Sequence, residues 1–415
     1  MSDPTDVLVV GAGLAGLACA RELRRAGRSV RVLEASDGIG GRARTYRQDG
    51  FLLDRGFQVL LDSYPEARRQ LDLTDLRLRR FLPGALVRRR GRFHRIADPL
   101  RQPTALVATA LAGVGSLADK LRILGLRRDA ARGSFAELFA RDEVSTAASL
   151  EARGFSSGMT DGFFRAFYGG VFLERELATS SRMLEFTFRM FSSGSACLPA
   201  DGMGAMAAQL AATLDASDLR LGARVTRVEE GAVHLADGSI ERAKSVVLAT
   251  DANAASSLTG TPARRWRGTT CLYFACDRAP IDEPILVLDG DGDGPINHLA
   301  VLSQVAPSYA PSGAHLVSAS AVGTAATLSD AQLESAARVQ LEGWFGEGFR
   351  GARLLRIVRV PESLPRQDVP TEPREATVTS PRPGLWVAGD HVATSSIQGA
   401  LLSGRLTAEA IVGQR

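Results

Sequence analysis

Lysine is almost missing from this chain: Lys120 and Lys244 are the only two, and arginine carries the rest of the positive charge. Cysteine is sparse too. Cys19, Cys197, Cys271 and Cys276 form no C-x-x-C pair and have no histidine at a ligand-like spacing, which argues against a zinc site or disulfide framework and for buried, reduced thiols. His94, His234, His298 and His315 show no mutual metal spacing, so no metal is expected. No apolar run reaches membrane-spanning length. The longest, Thr104 to Leu117, holds fourteen residues with threonine, serine and glycine interruptions. It reads as a buried or interfacial helix, and Arg101 before it with Lys120 and Arg122 after it would suit peripheral contact with an anionic bilayer.

The net charge of +4 does not imply a nucleic-acid partner. Basic residues are spread along the chain, and only Arg88, Arg89, Arg90, Arg92 and Arg95 cluster, whereas phosphate backbones call for a concentrated basic face. Met1 to Asp6 is short and polar, with no signal or transit pattern, so a cytoplasmic location is expected, with the peripheral membrane contact as a variant of it. The acidic turn Asp289 to Gly294 lacks the glutamate that closes an EF-hand loop and reads as solvated.

What is present points to a nucleotide fold. A chain of 415 residues, 45% hydrophobic and 23% charged, is ordinary for a globular protein but long for one core, so two intertwined domains are expected. Val7 to Val10 is a β-branched and aliphatic run of the kind buried on both sheet faces. Leu14 to Ala26 carries helix formers and stops at Gly27, and Ser29 to Leu33 is a second strand. This is one βαβ unit. Residues 64 to 193 lack regular alternation and read as a mainly helical insert. Strands are expected at Arg224–Glu229, Ala232–Leu235, Ile240–Lys244, Ser245–Ala249, Thr269–Cys276, Ile285–Leu288, Leu299–Ser303, His315–Ala321 and Leu385–Ala388, before a last helix from Ile397 to Val412.

Between the first strand and helix stands Gly11-Ala12-Gly13-Leu14-Ala15-Gly16. In this context the glycines have separate duties: Gly11 for the tight turn, Gly13 for approach of a pyrophosphate, Gly16 for helix–strand packing. The helix N-terminus would hold the phosphates. Glu34, followed by Ala35, ends the second strand and should accept from the adenosine ribose hydroxyls, disfavouring a 2′-phosphate.

Gly40-Gly41-Arg42-Ala43-Arg44-Thr45 and then Asp54-Arg55-Gly56-Phe57-Gln58 follow. These blocks resemble the extended N-terminal signature of the flavin amine oxidase and carotenoid (phytoene) desaturase superfamily. The resemblance implies FAD as cofactor, with Arg42 along the phosphates and the backbone of Gly56, Phe57, Gln58 and Val59 beside the flavin ring. Arg224-Val225-Thr226 and Ser245 to Asp251 look like the family's second FAD segment, which implies adenine contact at Val225 and places Thr250 in the site. Leu385 to Asp390, then Ser396-Ile397-Gln398-Gly399-Ala400, resemble the closing FAD motif. They imply Gly389 and Asp390 at the pyrophosphate and ribitol, and Ile397, Gln398 and Ala400 at the helix end facing the flavin pyrimidine.

The branch is less plain. Family amine oxidases place a lysine in the substrate-domain strand, and Thr269 to Phe274 holds none; Ser396 stands where an aromatic residue of an amine cage would be. Leu198-Pro199-Ala200-Asp201-Gly202-Met203-Gly204 looks like the P-x-G-G-M-G stretch of desaturase-like members, and Phe163, Phe164, Phe167, Tyr168 and Phe172 form an aromatic segment that serves either a core or a lipophilic pocket. His391 adjoins the closing motif and invites an acid–base role, though such a histidine is more often structural.

The expectation is therefore an α/β Rossmann-like, doubly wound FAD domain from residues 1–63, 194–262 and 361–415. A discontinuous substrate domain, a second sheet plus helices, would come from 64–193 and 263–360. The activity expected is dehydrogenation (desaturation) of a hydrophobic small molecule, carotenoid or polyprenoid in kind, by hydride transfer to flavin N5, with oxygen or a quinone-like acceptor. The alternatives are an amine oxidase with an atypical site, and a flavin-dependent isomerase or flavin-bound scaffold without redox turnover. No catalytic side chain and no oligomeric state is assigned.

Overall fold

The computed structural model describes residues 5–97, 101, 113–372 and 374–414. Its first sheet grows from the aliphatic strand Thr5–Val10, which pairs in parallel with Val30–Leu33 on one side and Ile240–Leu248 on the other. Ile240–Leu248 is one strand where the sequence suggested two. Its first residues pair antiparallel with Ala232–Leu235, and its last, Val246 to Leu248, pair in parallel with Leu385–Val387. The switch of partner along one strand explains the double reading, because the exposed first half alternates and the buried second half is uniformly apolar.

Helix Leu14–Arg25 covers this sheet with buried Leu14, Leu17 and Leu23. It stops where Gly27 takes φ +75°, with Arg28 N–H donating to Leu23 O at 3.0 Å. The last helix, Ile397–Gly413, lies against it. A Cβ at Gly404 would stand 2.2 Å from Ala15 O, so the two helices meet backbone to backbone only because that residue is glycine.

The second sheet has seven strands, in the order Arg353–Pro365, Trp266–Cys276, His315–Val322, Ile296–Val301, Leu286–Asp289, Gly84–Arg89, Arg92–Ala97. Three of its members escape sequence reasoning. Arg353–Pro365 contains Pro361 and Pro365, which look like breakers, yet it is an edge strand, where missing N–H donors are tolerated. The hairpin Gly84–Ala97 falls in the region expected to be mainly helical. Its turn uses Arg90 (φ +50°) and Gly91 (φ +73°), and its arginines line the opposite edge of the sheet. The basic cluster thus decorates a sheet edge, where charge discourages pairing with another chain.

Helices Leu117–Ala131, Phe135–Phe139, Thr146–Ala152, Arg165–Phe172 and Ser181–Ser193 fall within the stretch 64–193 that the sequence suggested to be mainly helical. Residues 104–112 of the apolar run lie outside the described residues; Leu117 opens a helix capped by Ser116, whose Oγ accepts from Asp119 N–H. No helix among the described residues is long and apolar enough to cross a membrane. Helix Asp330–Phe345 seals the far face of the second sheet through Leu333, Ala337 and Leu341.

Candidate cofactor and substrate site

A continuous depression of about 1190 Å³ runs from the first glycine loop, past the last helix, into the helical insert. At its polar end the three glycines of the loop do three different things. Gly11 has φ +106°, and a Cβ there would lie 2.6 Å from Ala249 O. Gly16 would place a Cβ 2.0 Å from Gly11 O, so it sets the contact of helix with strand. Gly13 has nothing within 4 Å, which leaves its face open toward the groove. The helix beginning at Leu14 turns its N-terminus, with its partial positive charge, to this end of the groove.

Glu34 stands at the mouth with its carboxylate already oriented. Oε2 accepts from Ala12 N–H at 2.7 Å, and Oε1 accepts from Ser36 N–H at 2.9 Å and Ser36 Oγ–H at 2.7 Å. Gly40 N–H donates to Ala12 O at 2.8 Å, and this brings Gly41 (φ +54°) across the loop, next to Gly13. Ala35, Val225 and Thr250 line the same end.

Midway, Arg42 and Asp390 form a bidentate pair at 2.8 and 2.5 Å, and Arg42 Nη1 also donates to Ser363 O at 2.9 Å. Burial opposes the guanidinium charge, but the carboxylates of Asp390, Asp251 and Glu362 outweigh it and hold the pKa of Arg42 above its ordinary value. Trp266 lies under the guanidinium, 5.4 Å from ring centroid to Cζ. Gln58 Nε2 donates to Arg42 O at 2.6 Å and ties the Gly56 turn to the same place.

That turn is clamped from below by Asp54, which is fully buried. Its carboxylate accepts from Thr45 Oγ, Met203 N–H and Tyr309 Oη, the last two at 2.9 Å. Burial still dominates and raises the Asp54 pKa to about 6. Met203 belongs to the Leu198–Gly204 stretch, so that segment closes over the turn from the other side of the chain.

At the far end, Ile397 and Ala400 present the N-terminus of the last helix to the cavity, and Gly389 approaches it through an N–H bonded to Ser403 Oγ at 3.0 Å. Gln398 does not join them. It is buried on the opposite side, accepting from Glu66 N–H at 2.9 Å and reaching Glu375 at 3.3 Å. The helical period explains this: 397 and 400 are three apart and share a face, whereas 398 is turned about 100° away. Ala12 and Gly16 lie beneath the loop, and Gly56 sits behind Phe57 against Thr269 and Val360, so their side positions do not line the groove. His391 is buried, its ring nitrogens have no hydrogen-bond partner among the described residues, burial lowers its pKa, and it is not on the cavity wall. That geometry removes the acid–base role considered for it.

Beyond Phe57, Gln58 and Val59 the wall becomes apolar and aromatic. Phe163 stacks on Phe167 with centroids 5.5 Å apart, and Phe191 meets Phe167 edge-on at 5.2 Å. Phe81, Phe164 and Tyr168 complete this wall, while Phe172 is core. The strand Trp266–Cys276 brings no lysine, and its Thr269 packs behind Gly56. Sequence reasoning overlooked Trp266 and His298, both on strands whose starts it placed three residues late.

The chain from residue 14 to 412 matches the family described as flavin containing amine oxidoreductase. This chain belongs to that family. Among relatives, protoporphyrinogen oxidase 2, chloroplastic/mitochondrial, of Arabidopsis thaliana is 34% identical over 118 residues, which is 28% of this chain and 23% of that protein. The likeness to curated relatives is thus local, spanning less than a quarter of their length. Whole-chain likeness comes from solved structures. An oxidoreductase from Methanosarcina mazei superposes with TM-score 0.75 at 18% identity, covering 97% of this chain and 100% of that one. Cyclohexylamine oxidase from Brevibacterium oxydans gives 0.74 at 16% identity, covering 99% of each. These establish the fold, a mixed α/β architecture of the flavin amine oxidoreductase type.

The flavin amine oxidoreductase cofactor is FAD, and the groove fits it. The open Gly13 face and the helix N-terminus at Leu14 and Ala15 suit a pyrophosphate, the oriented Glu34 suits a ribose, and the helix end at Ile397 and Ala400 suits the electron-rich side of an isoalloxazine.

Proposed function

We propose that this chain is an FAD-dependent dehydrogenase of a lipophilic small molecule, a desaturase of polyene or polyprenoid type rather than an amine oxidase. The observation that carries the reading is the wall next to Phe57, where aromatic side chains including Phe81, Phe163, Phe164, Phe167, Tyr168 and Phe191 are continuous with the nucleotide groove. Apolar burial is the main attraction such a wall offers.

Segments 1–63, 194–262 and 361–415 would hold the nucleotide, and 64–193 with 263–360 would shape the substrate cavity, the strand Arg353–Pro365 passing from one to the other. When bound, FAD supplies the hydride acceptor at N5 and passes electrons to oxygen or a quinone-like acceptor. The chain's own contribution is alignment and exclusion of water. Phe57 and Val59 press the substrate carbon toward the ring position, the aromatic wall keeps water out, and the helix end at Ile397 favours negative charge on the pyrimidine side.

The amine reading draws on the cyclohexylamine oxidase likeness, but Thr269 to Phe274 lacks a lysine and the position of an aromatic cage member is Ser396. Anaerobic mixing of the flavin-loaded protein with a conjugated polyene and, separately, with cyclohexylamine and putrescine decides between the two. Loss of flavin absorbance with the polyene alone is expected. Bleaching by the amines alone would overturn the proposal.

A further inference from the structure

The largely aromatic deep part of the cavity carries a polar ring at His298. His298 lies on strand Ile296–Val301, whose alternation turns Leu299 and Val301 toward helix Asp330–Phe345 and His298 toward the cavity. It is only 4% exposed, and its ring meets Phe57 edge-on with centroids 5.1 Å apart. Room for the ring comes from Gly170, where a Cβ would stand 2.9 Å from Nδ1.

Asn297 fixes the tautomer. Its Oδ1 accepts from Arg175 Nη1 at 2.8 Å and its Nδ2 donates to Ala166 O at 2.8 Å, so turning the amide over would set donor against donor and acceptor against acceptor. The second Nδ2 hydrogen points at His298 Nδ1, 3.1 Å away. Nδ1 is therefore the acceptor, and in the neutral ring the hydrogen sits on Nε2. Burial pushes the imidazole pKa down to about 4, which keeps the ring neutral at ordinary pH. Nε2 has no hydrogen-bond partner among the described residues.

We propose that His298 determines specificity by touching the substrate, its Nε2–H donating to an acceptor oxygen carried by an otherwise lipophilic molecule. The inference rests on the lipophilic reading of the cavity and narrows it. A bare hydrocarbon would leave a buried donor unsatisfied, and a protonated amine would face it with another donor; a carbonyl, ether or hydroxyl oxygen satisfies it. The substrate class is thus an oxygen-bearing polyene, polyprenoid or polycyclic compound, its oxygen held beside Phe57.

The test uses the flavin-loaded protein and two flat probes of nearly equal shape, fluorenone and fluorene, titrated against the flavin absorption spectrum. One neutral hydrogen bond predicts about tenfold tighter binding of the ketone. His298→Phe should bring the two affinities together at unchanged flavin content. Should that variant fail to fold, Asn297→Asp provides the second arm: a carboxylate accepts from Nδ1–H, moves the hydrogen off Nε2, and should abolish the preference with the ring retained. Equal affinities in the unaltered protein, or a preference surviving in either variant, overturns the role of His298 alone. Failure of both probes to bind overturns the lipophilic cavity and the inference with it.

Discussion

Arg42 and Asp390 stand 348 positions apart in the chain and meet through two hydrogen bonds beneath the middle of the groove. The guanidinium comes from the loop after the second strand and the carboxylate from the loop after the last strand, so the pair ties the first and last segments of the candidate nucleotide site together. Arg42→Ala and Asp390→Ala should each lower the flavin retained through gel filtration. Because either removal leaves the other charge partly buried and unpaired, each should cost about 2–4 kcal/mol, and the double variant should cost less than their sum. Strict additivity in FAD titrations would show that the pair is not a unit.

Gly13 and Gly16 separate binding from folding. A Cβ at Gly13 meets no atom within 4 Å among the described residues beyond its chain neighbours, so for Gly13→Ala the melting temperature of the flavin-free protein should stay within a few degrees while flavin affinity falls at least about tenfold. Gly16→Ala puts a methyl 2.0 Å from Gly11 O, and a loss of more than about 3 kcal/mol of stability is expected. Thermal denaturation with and without added FAD distinguishes the two.

Glu34 is oriented by hydrogen bonds from Ala12 N–H and Ser36 N–H. Glu34→Gln keeps an acceptor for one of these and should retain more flavin than Glu34→Ala, which is expected to lose about 1–3 kcal/mol of affinity. Equal flavin content across all three proteins, measured by the ratio of visible to ultraviolet absorbance, would count against the ribose contact.

Asp54 carries a pH signature. Its folded pKa, raised to about 6 by burial, exceeds the unfolded value near 3.8, so the folded state holds the proton more tightly. That contribution is complete below about pH 4 and is lost as pH rises through 6, worth at most about 3 kcal/mol. Asp54→Asn lacks the term. The melting temperature of the variant should therefore gain on the parent between pH 4 and pH 7, and a gap independent of pH would refute the assignment.

Phe167 tests the aromatic wall. It stacks on Phe163 and meets Phe191, and it is half-buried. Phe167→Ala should weaken fluorene binding by about 1–3 kcal/mol while the flavin content holds.

How much of this was legible in the sequence varied with the range of the interactions. The βαβ start was readable because its pattern is local, a strand, three glycines and a helix over about thirty residues, even though Gly11 itself packs against Ala249 from a distant strand. Glu34 and Arg42 could be named for the same reason. Gln398 was misjudged because adjacency in a motif does not say which side of a helix a residue occupies. The hairpin Gly84–Ala97 and the strand Arg353–Pro365 were hidden because arginine and proline argue against strands until the sheet edge that accommodates them is known.

The family, the cofactor and the glycine cradle were written in short stretches of sequence, since backbone geometry around a phosphate admits few residue types. Which side chains face the cavity was decided by the fold. Asn297, Arg175 and Gly170 orient His298, and Asp54 holds the Phe57 turn, through contacts between elements far apart in the chain. No local pattern encodes such contacts, because they exist only once the two sheets and the helical insert have packed.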